Sequence, residues 1–396
     1  MKKTRKGFTL VELLVVIAIV AILATVAIIG YTSFTKKAEK SADQQAVTQM
    51  NTALADLKAD ATIDDVIAAL IANGYNGDLT TYYSNYSLAK LNDKNVIVLV
   101  ENGAVVYPED YAGQAYTLLN RLATDADSLT AGLAAGKVHM NGNVTVDGLA
   151  PEATGTYEVV LNGNTLNASQ IITSNIAGST LVVSNGIIDG TTIPNPNGKT
   201  SPVTARTDGH IELNNVQVYG AEDMNPIKAY GGTLVLNNVT AAQHGENAES
   251  WFNSAVQVVN YLEQIDGKWT ILNQANVTIT GGMYTGDKAV QIDAPGGNVT
   301  INSGVLSGET YVINADFAPQ NYGAGNNFES VITINGGTLN GNIKISAATE
   351  LVINGGTFKG ETFRVGNTTV ALTVEALAPY VTAGSTIVVN GVSFTK

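Results

Sequence analysis

The chain contains no cysteine. Disulfides, thiolate nucleophiles and cysteine-ligated metal centres are therefore excluded together. An extracytoplasmic location is not, because a sufficiently large core holds a secreted domain without cross-links. Histidine is nearly as scarce, with 3 residues in 396. No metal-ligand spacing or phosphate-cradling loop stands out, so neither a metal nor a cofactor is expected. Charge is sparse and lopsided: 14% of residues are charged, 34 Asp and Glu against 21 Lys and Arg, for a formal net charge of −13. A body of that sign repels phosphate backbones, so nucleic acid is not an expected partner.

Glycine, by contrast, is abundant at 40 residues, and Asn, Thr and Val recur throughout, a composition suited to sheets and turns. The length allows for two or three domains, at roughly 100–200 residues each.

Four of the basic residues, Lys2, Lys3, Arg5 and Lys6, crowd the first seven positions, and 22 apolar-dominated residues follow from Phe8 to Ile29. As a helix at about 1.5 Å per residue that run spans roughly 33 Å, enough for a bilayer core. The basic flank orients it with its start in the cytoplasm. A secretory signal peptide places its small-residue cleavage site after the apolar run; here the small residue, Gly7, precedes it. One acid, Glu12, interrupts the run, and inside a span it costs about 2.5–3.5 kcal/mol unless it finds a partner.

The stretch Lys6-Gly7-Phe8-Thr9-Leu10-Val11-Glu12-Leu13 resembles the prepilin recognition site of type IV pilins and type II secretion pseudopilins. The resemblance covers about residues 1–60. It implies cleavage between Gly7 and Phe8 by a prepilin peptidase, N-methylation at Phe8, and assembly through Glu12, paired with the Phe8 amine of a neighbouring subunit. It also implies membrane lipid and other pilin or pseudopilin subunits as partners, and a bacterial envelope or cell-surface location. Two features depart from the common pattern: Ile29 followed by Gly30 stands where many members have proline, and the C-terminal cysteine pair is missing.

Beyond the span, Ala38, Ala42, Ala46, Val47, Met50, Leu54 and Leu57 recur at helical steps. Thr62 and Asp65 resemble a capping box opening a second helix, whose apolar face is Ile63, Val66, Ile67, Leu70 and Ile71, before the stop at Asn73-Gly74. A strand is expected over 82–88, and a hairpin joins 95–100 to 104–107 through Asn102-Gly103. The expected organisation is a leader at 1–7, a transmembrane assembly helix at 8–30, a helix and pilin-like α+β domain at 31–111, a helical connector at 112–137, and an all-β domain at 138–396.

That last region is repetitive. A short alternating strand ending in Asn or a small polar residue recurs at 159–162, 181–184, 211–214, 234–237, 277–280, 299–302, 332–335, 351–354 and 387–390. Steps between the aligned polar positions are 22, 30, 23, 43, 22, 33, 19 and 36 residues. Variable steps with a minimum near 20 residues indicate a solenoid. The absence of an intervening helix favours a parallel β-helix, with the repeated Asn stacked as an amide ladder. A second strand per turn is read at 255–259, 289–292, 311–313 and 343–345.

Asp287, Asp293, Glu309 and Asp316 fall in consecutive turns, but cleavage of a glycosidic bond needs two carboxylates about 5–9.5 Å apart, and basic partners for an acidic sugar are few. More distinctive are two long loops predicted at one corner of the solenoid, about 10 Å apart across a short intervening turn. Their aromatics, Tyr261 and Trp269 on one and Phe317, Tyr322 and Phe328 on the other, form a candidate groove for surface glycans. The expected function is assembly into a surface filament displaying the β-helix as an adhesion or binding module, without catalysis. The alternatives are a pseudopilin contacting secretion cargo and a membrane-anchored carbohydrate-active enzyme. Mass spectrometry of the mature protein is expected to find methylated Phe8 at its N-terminus; an intact leader in envelope fractions contradicts the assignment.

Overall fold

A computed structural model describes residues 10, 13–17, 19–20 and 38, strands within 96–118, and the chain from 122 onward except 124, 135, 141, 172, 175, 192–200, 222–223, 244–252, 294–295 and 317–328. The chain divides into two compact units, Met1–Asn120 and Arg121–Lys396.

In the first unit, residues 10, 13–17, 19–20 and 38 are helical. The apolar side chains of Leu10, Leu13, Leu14 and Ile17 are more than half exposed, so the described part of this helix buries no apolar face within the protein. No helix among the described residues is long and apolar enough to cross a membrane. Most of the expected span at 8–30, the helix continuing to Leu57, the helix from Thr62 and the strand at 82–88 lie outside the described residues. The expected hairpin is present: β1 (Val96–Leu99) pairs antiparallel with β2 (Val105–Val106). The other edge of β1 takes β3 (Thr117–Leu118), from the stretch expected to be a helical connector. An unpaired strand edge offers a row of free N–H and C=O groups, and pairing with it overrides the helical propensity of a short Ala- and Leu-containing segment. Among the described residues of 112–137, helix is confined to α1 (Ala126–Ala134), which belongs to the second unit. That unit begins at Arg121.

The second unit is a parallel β-helix with three faces. The first face stacks β4 (Leu122–Ala123), β5 (Lys137–Met140), β7 (Gly155–Val160) and the leading parts of β10 (Ser179–Gly190), β12 (His210–Gly220), β14 (Thr233–Ala242) and β18 (Asn276–Ile292). It continues through β19 (Asn298–Ile301), β21 (Ser330–Ile334) and the start of β23 (Thr349–Lys359). The second face takes β6 (Val144–Leu149), β8 (Thr165–Ile171), the later parts of β10, β12, β14 and β18, and then β20 (Val305–Ala315), β22 (Thr338–Ile345), the end of β23 and β26 (Val381–Val389). The third takes β9 (Thr173–Ser174), β11 (Val203–Arg206), β13 (Ile227–Tyr230), β15 (Ser254–Val259), the last segments of β18, β20 and β22, and β24 (Thr362–Val365). All of these pairings are parallel.

Sequence periodicity finds the first and third faces and misses the second. The reason lies at the corner between the first two. Gly282 sits there with φ +85°, and a Cβ on it would lie 2.0 Å from the Val239 carbonyl oxygen. The positions that bend the chain sharply are thus the ones that cannot carry a patterned side chain.

Inside the coil, alternate residues from neighbouring turns stack: Leu234 and Leu236, Val277 and Ile279, Val299 and Ile301, Ile332 and Ile334 are all buried. Each such side chain contributes about 1.5–3 kcal/mol relative to exposure. The amide ladder runs along the corner outside them. Asn237 Nδ2 donates to Asn214 Oδ1 23 residues back, Asn335 to Asn302 33 back, and Asn354 to Asn335 19 back. Asn302 donates to Thr280 Oγ1 22 residues back. These offsets are the sequence steps themselves. Two alignments differ: Ser184 sits over Val160 rather than Asn162, and the 387–390 segment lies on the second face, with Val389 over Phe358. Thr382 takes the ladder position instead, donating to Asn354.

Both ends of the stack are closed. At the start, Leu129 and Leu133 of α1 are buried, and Asp125 caps that helix by accepting from the Ser128 N–H at 2.8 Å. At the far end β24 and β26 pair antiparallel with β25 (Thr368–Ala371) and β27 (Val392–Thr395), and Leu372 and Leu377 are buried. Leu339→Ala, at a fully buried inward position of the second face, is expected to cost about 2–5 kcal/mol in equilibrium denaturation. Val305→Ala, on the same face but 39% exposed, should cost well under that. Equal losses contradict the inward-outward alternation.

Candidate functional site

The third face ends at a corner where the turns differ in length. Register aligns Val258 with Ile292 and Val290 with Ile313, so the segments after β15, β18 and β20 leave the stack at the same corner. After β18 the connection is short, running from Asp293 to Gly297. After β20, Phe317, Tyr322 and Phe328 lie outside the described residues.

After β15 the chain forms a hairpin of its own, β16 (Tyr261–Ile265) paired antiparallel with β17 (Lys268–Asn273). Its two-residue loop is Asp266-Gly267, with φ +50° and +77°, the left-handed pair required by a type I′ turn. That dipeptide between alternating residues is a sequence signal for this hairpin, and the sequence reading passed over it. Leu262 and Ile271 pack against the core, whereas Trp269 is 37% exposed. The hairpin base rests on Gly231, whose φ is +75° and where a Cβ would lie 2.6 Å from that of Tyr261.

Beside the base lies an open cleft of about 230 Å³ lined by Arg206, Thr207, Tyr230 and Tyr261. Arg206 and Tyr230 are stacked partners in adjacent turns. The Tyr261 ring meets Tyr230 edge-on, with centroids 5.4 Å apart at 83°. The Arg206 guanidinium carbon and the Lys228 ammonium stand 5.7 and 5.4 Å from the Tyr230 centroid, within cation–π range. Tyr261 Oη donates to Glu263 at 2.9 Å, and that bond, with the Glu263 charge, raises the phenol pKa. Thr207 adopts φ +49°. The other non-glycine residues at positive φ among the described residues are Asn or Asp, which tolerate it, whereas a β-branched residue does so under strain. Of these cleft residues, the sequence reading named only Tyr261.

Next to the cleft runs a row of long polar side chains, one per turn: Lys228, Gln257, Gln291, Asn314, Lys344 and Arg364. Gln257 and Gln291 are buried, and both donate to the buried Asp293 carboxylate, Gln291 at 2.7 Å. Asn314 donates on to Gln291 at 2.9 Å. Burial pushes the Asp293 pKa up, opposed by these two amides and by the charges of Lys228 and Lys288. The other carboxylates have separate surroundings. Asp287 accepts from Lys288 at 2.6 Å and from Thr310, Asp316 pairs with Lys344 at 2.7 Å, and Glu309 is exposed. Asp287 and Asp293 bracket the strand segment 288–292, so their backbones stand roughly 20 Å apart at about 3.3 Å per residue. They do not form the close pair that glycoside cleavage requires.

Residues 2–28 match the family model of the prokaryotic N-terminal methylation motif. The N-terminus thus carries the methylation motif of type IV pilin- and pseudopilin-like precursors. Gly7, Phe8 and Glu12 fall inside the matched segment, and outside the residues whose structure is described. No curated protein and no solved structure matches the chain.

Asp293 has a linkage consequence. A carboxyl whose folded pKa is raised favours the folded state at low pH, and that contribution is lost as pH rises through the raised value. The difference in melting temperature between wild type and Asp293→Asn is therefore expected to shift toward the variant as pH rises from the ordinary value of 3.8 toward neutrality. A pH-independent difference contradicts the shift.

Proposed function

We propose that this precursor is cleaved between Gly7 and Phe8, methylated at Phe8, and assembled through its N-terminal helix into a surface filament that displays the β-helix as a non-enzymatic adhesion module. The observation that carries the reading is the joining of a prepilin-type N-terminus to a rigid, end-capped solenoid. Parallel stacking fixes every turn against the next, so ligand-binding groups on the coil are held at set positions relative to one another. The Asp287 and Asp316 carboxylates are each engaged by a lysine, which favours a structural role for them. An elongated binding domain suits an exposed position in the filament. Contact with secretion cargo in a pseudopilus remains the second reading, favoured by the same motif, which pilins and pseudopilins share.

Glu12 is the residue on which assembly depends. In the membrane its carboxylate is costly alone and favourable beside the Phe8 amine of the next subunit. Glu12→Ala is expected to leave membrane insertion intact and to abolish incorporation into filaments, scored by immunolabelling of sheared surface fractions. Normal incorporation of the variant refutes the assignment.

A further inference from the structure

We infer that the cleft formed by Arg206, Thr207, Tyr230 and Tyr261 binds a carboxylate-bearing sugar ring, of the uronic or sialic acid class. The inference deepens the display reading by assigning its ligand chemistry to one place on the β-helix.

Three independent features converge there. The first is charge. On a protein of net −13, two cations, Arg206 and Lys228, approach a single tyrosine ring. Arg206 is exposed, and no salt bridge engages it among the described residues. A guanidinium fork matches a planar carboxylate in two parallel hydrogen bonds, a geometry that lysine lacks. The second is shape. Tyr230 and Tyr261 meet edge to face, so one ring presents a face and the other an edge within a cleft of about 230 Å³. That arrangement suits the C–H surface of a pyranose, with phenol and threonine oxygens at its rim.

The third is strain. Thr207 N–H donates to the Tyr230 carbonyl at 3.0 Å, and Gly209 N–H donates back to the Arg206 carbonyl at 2.9 Å. Together these bonds fix a tight turn that holds a β-branched residue at φ +49°. An Asn or Gly would make the same turn without strain, as Asn does at the ladder corners. Unfavourable backbone kept beside a cleft is a mark of a functional site. The turn also fixes the site against the hairpin, because Asp208 accepts from Asn273 at the end of β17. The cations, the aromatic pair and the hairpin base are thereby held as one unit.

The test uses the purified full-length chain in detergent, titrated by calorimetry with glucuronate, galacturonate and sialic acid oligosaccharides, with neutral hexose oligosaccharides, and with acetate. At least one acidic oligosaccharide is expected to bind, more weakly as salt rises, while the neutral sugars and acetate bind at least tenfold more weakly. Arg206→Ala should lose roughly 10- to 100-fold in affinity, and Arg206→Lys should recover only part of it. Tyr230→Phe should retain binding, and Tyr230→Ala should not. Melting temperatures separate lost contacts from lost folding. The proposal is overturned if no acidic probe binds, if neutral sugars bind equally, or if Arg206→Ala, folded, binds as wild type. Because the protein is unassembled, such failure is distinct from a failure of filament assembly.

Discussion

Parallel stacking in register is the constraint on which the rest of the β-helix depends. Each strand finds its hydrogen-bond partners in the turns above and below, so a residue is placed by the residue it stacks on rather than by its local segment. Inward positions must then be apolar in turn after turn, as Leu234, Val277, Val299 and Ile332 are. Outward positions form rows at about 4.8 Å. A polar corner residue is satisfied only if the turns on either side offer a complementary group, which Asn does by donating upward and accepting downward. The ladder from Asn302 through Asn335 to Asn354 is therefore a product of the stacking as much as a support for it. The same constraint explains why both ends are closed with helix, antiparallel strands and buried leucines, since an uncovered last turn would leave a row of unpaired backbone groups.

The sequence is legible where a physical requirement falls on consecutive residues. The apolar N-terminal run and the prepilin motif are contiguous, and so are the Asn corners, whose steps equal the ladder offsets. It is less legible where a requirement falls between turns. The second face follows corner glycines, among them Gly282, Gly337 and Gly356, and its strands read as turn rather than sheet. The third-face strands β11 and β13 also escape the sequence pattern. Residues 387–390 repeat the local pattern of a first-face strand while stacking on Phe358 of the second. Local pattern cannot distinguish two faces that make the same demands.

The cleft shows the same limit at the level of function. Arg206, Tyr230 and Tyr261 come from three segments, and only the stack brings them together. No spacing rule links them, because the insertion lengths that separate turns vary freely. What was readable was the punctuation around them: Asp266-Gly267 as a hairpin turn, and Asp208-Gly209 as a tight turn. The buried row of Gln257, Gln291 and Asn314 was equally hidden, since an outward-facing amide in a strand reads as solvated surface until its burial is seen. Its hydrogen bonds to Asp293 hold a desolvated carboxylate that would otherwise be costly at that corner.

Electrostatics sets how the proposed cleft meets its ligand. An acidic ligand approaching a body of charge −13 is repelled at distances beyond a Debye length, about 10 Å at 0.1 M salt. It is attracted only within reach of Arg206 and Lys228. Long-range steering is thus unfavourable and contact-range recognition favourable, a combination that lowers association rate while preserving discrimination between acidic and neutral sugars. A single site of this kind binds weakly. Arrayed along a filament, copies of it raise one another's effective concentration for a polymeric ligand, and avidity offsets the slow encounter. Physical advantage from the weak, selective cleft therefore grows with assembly, which is the step that Glu12 governs in the proposed function.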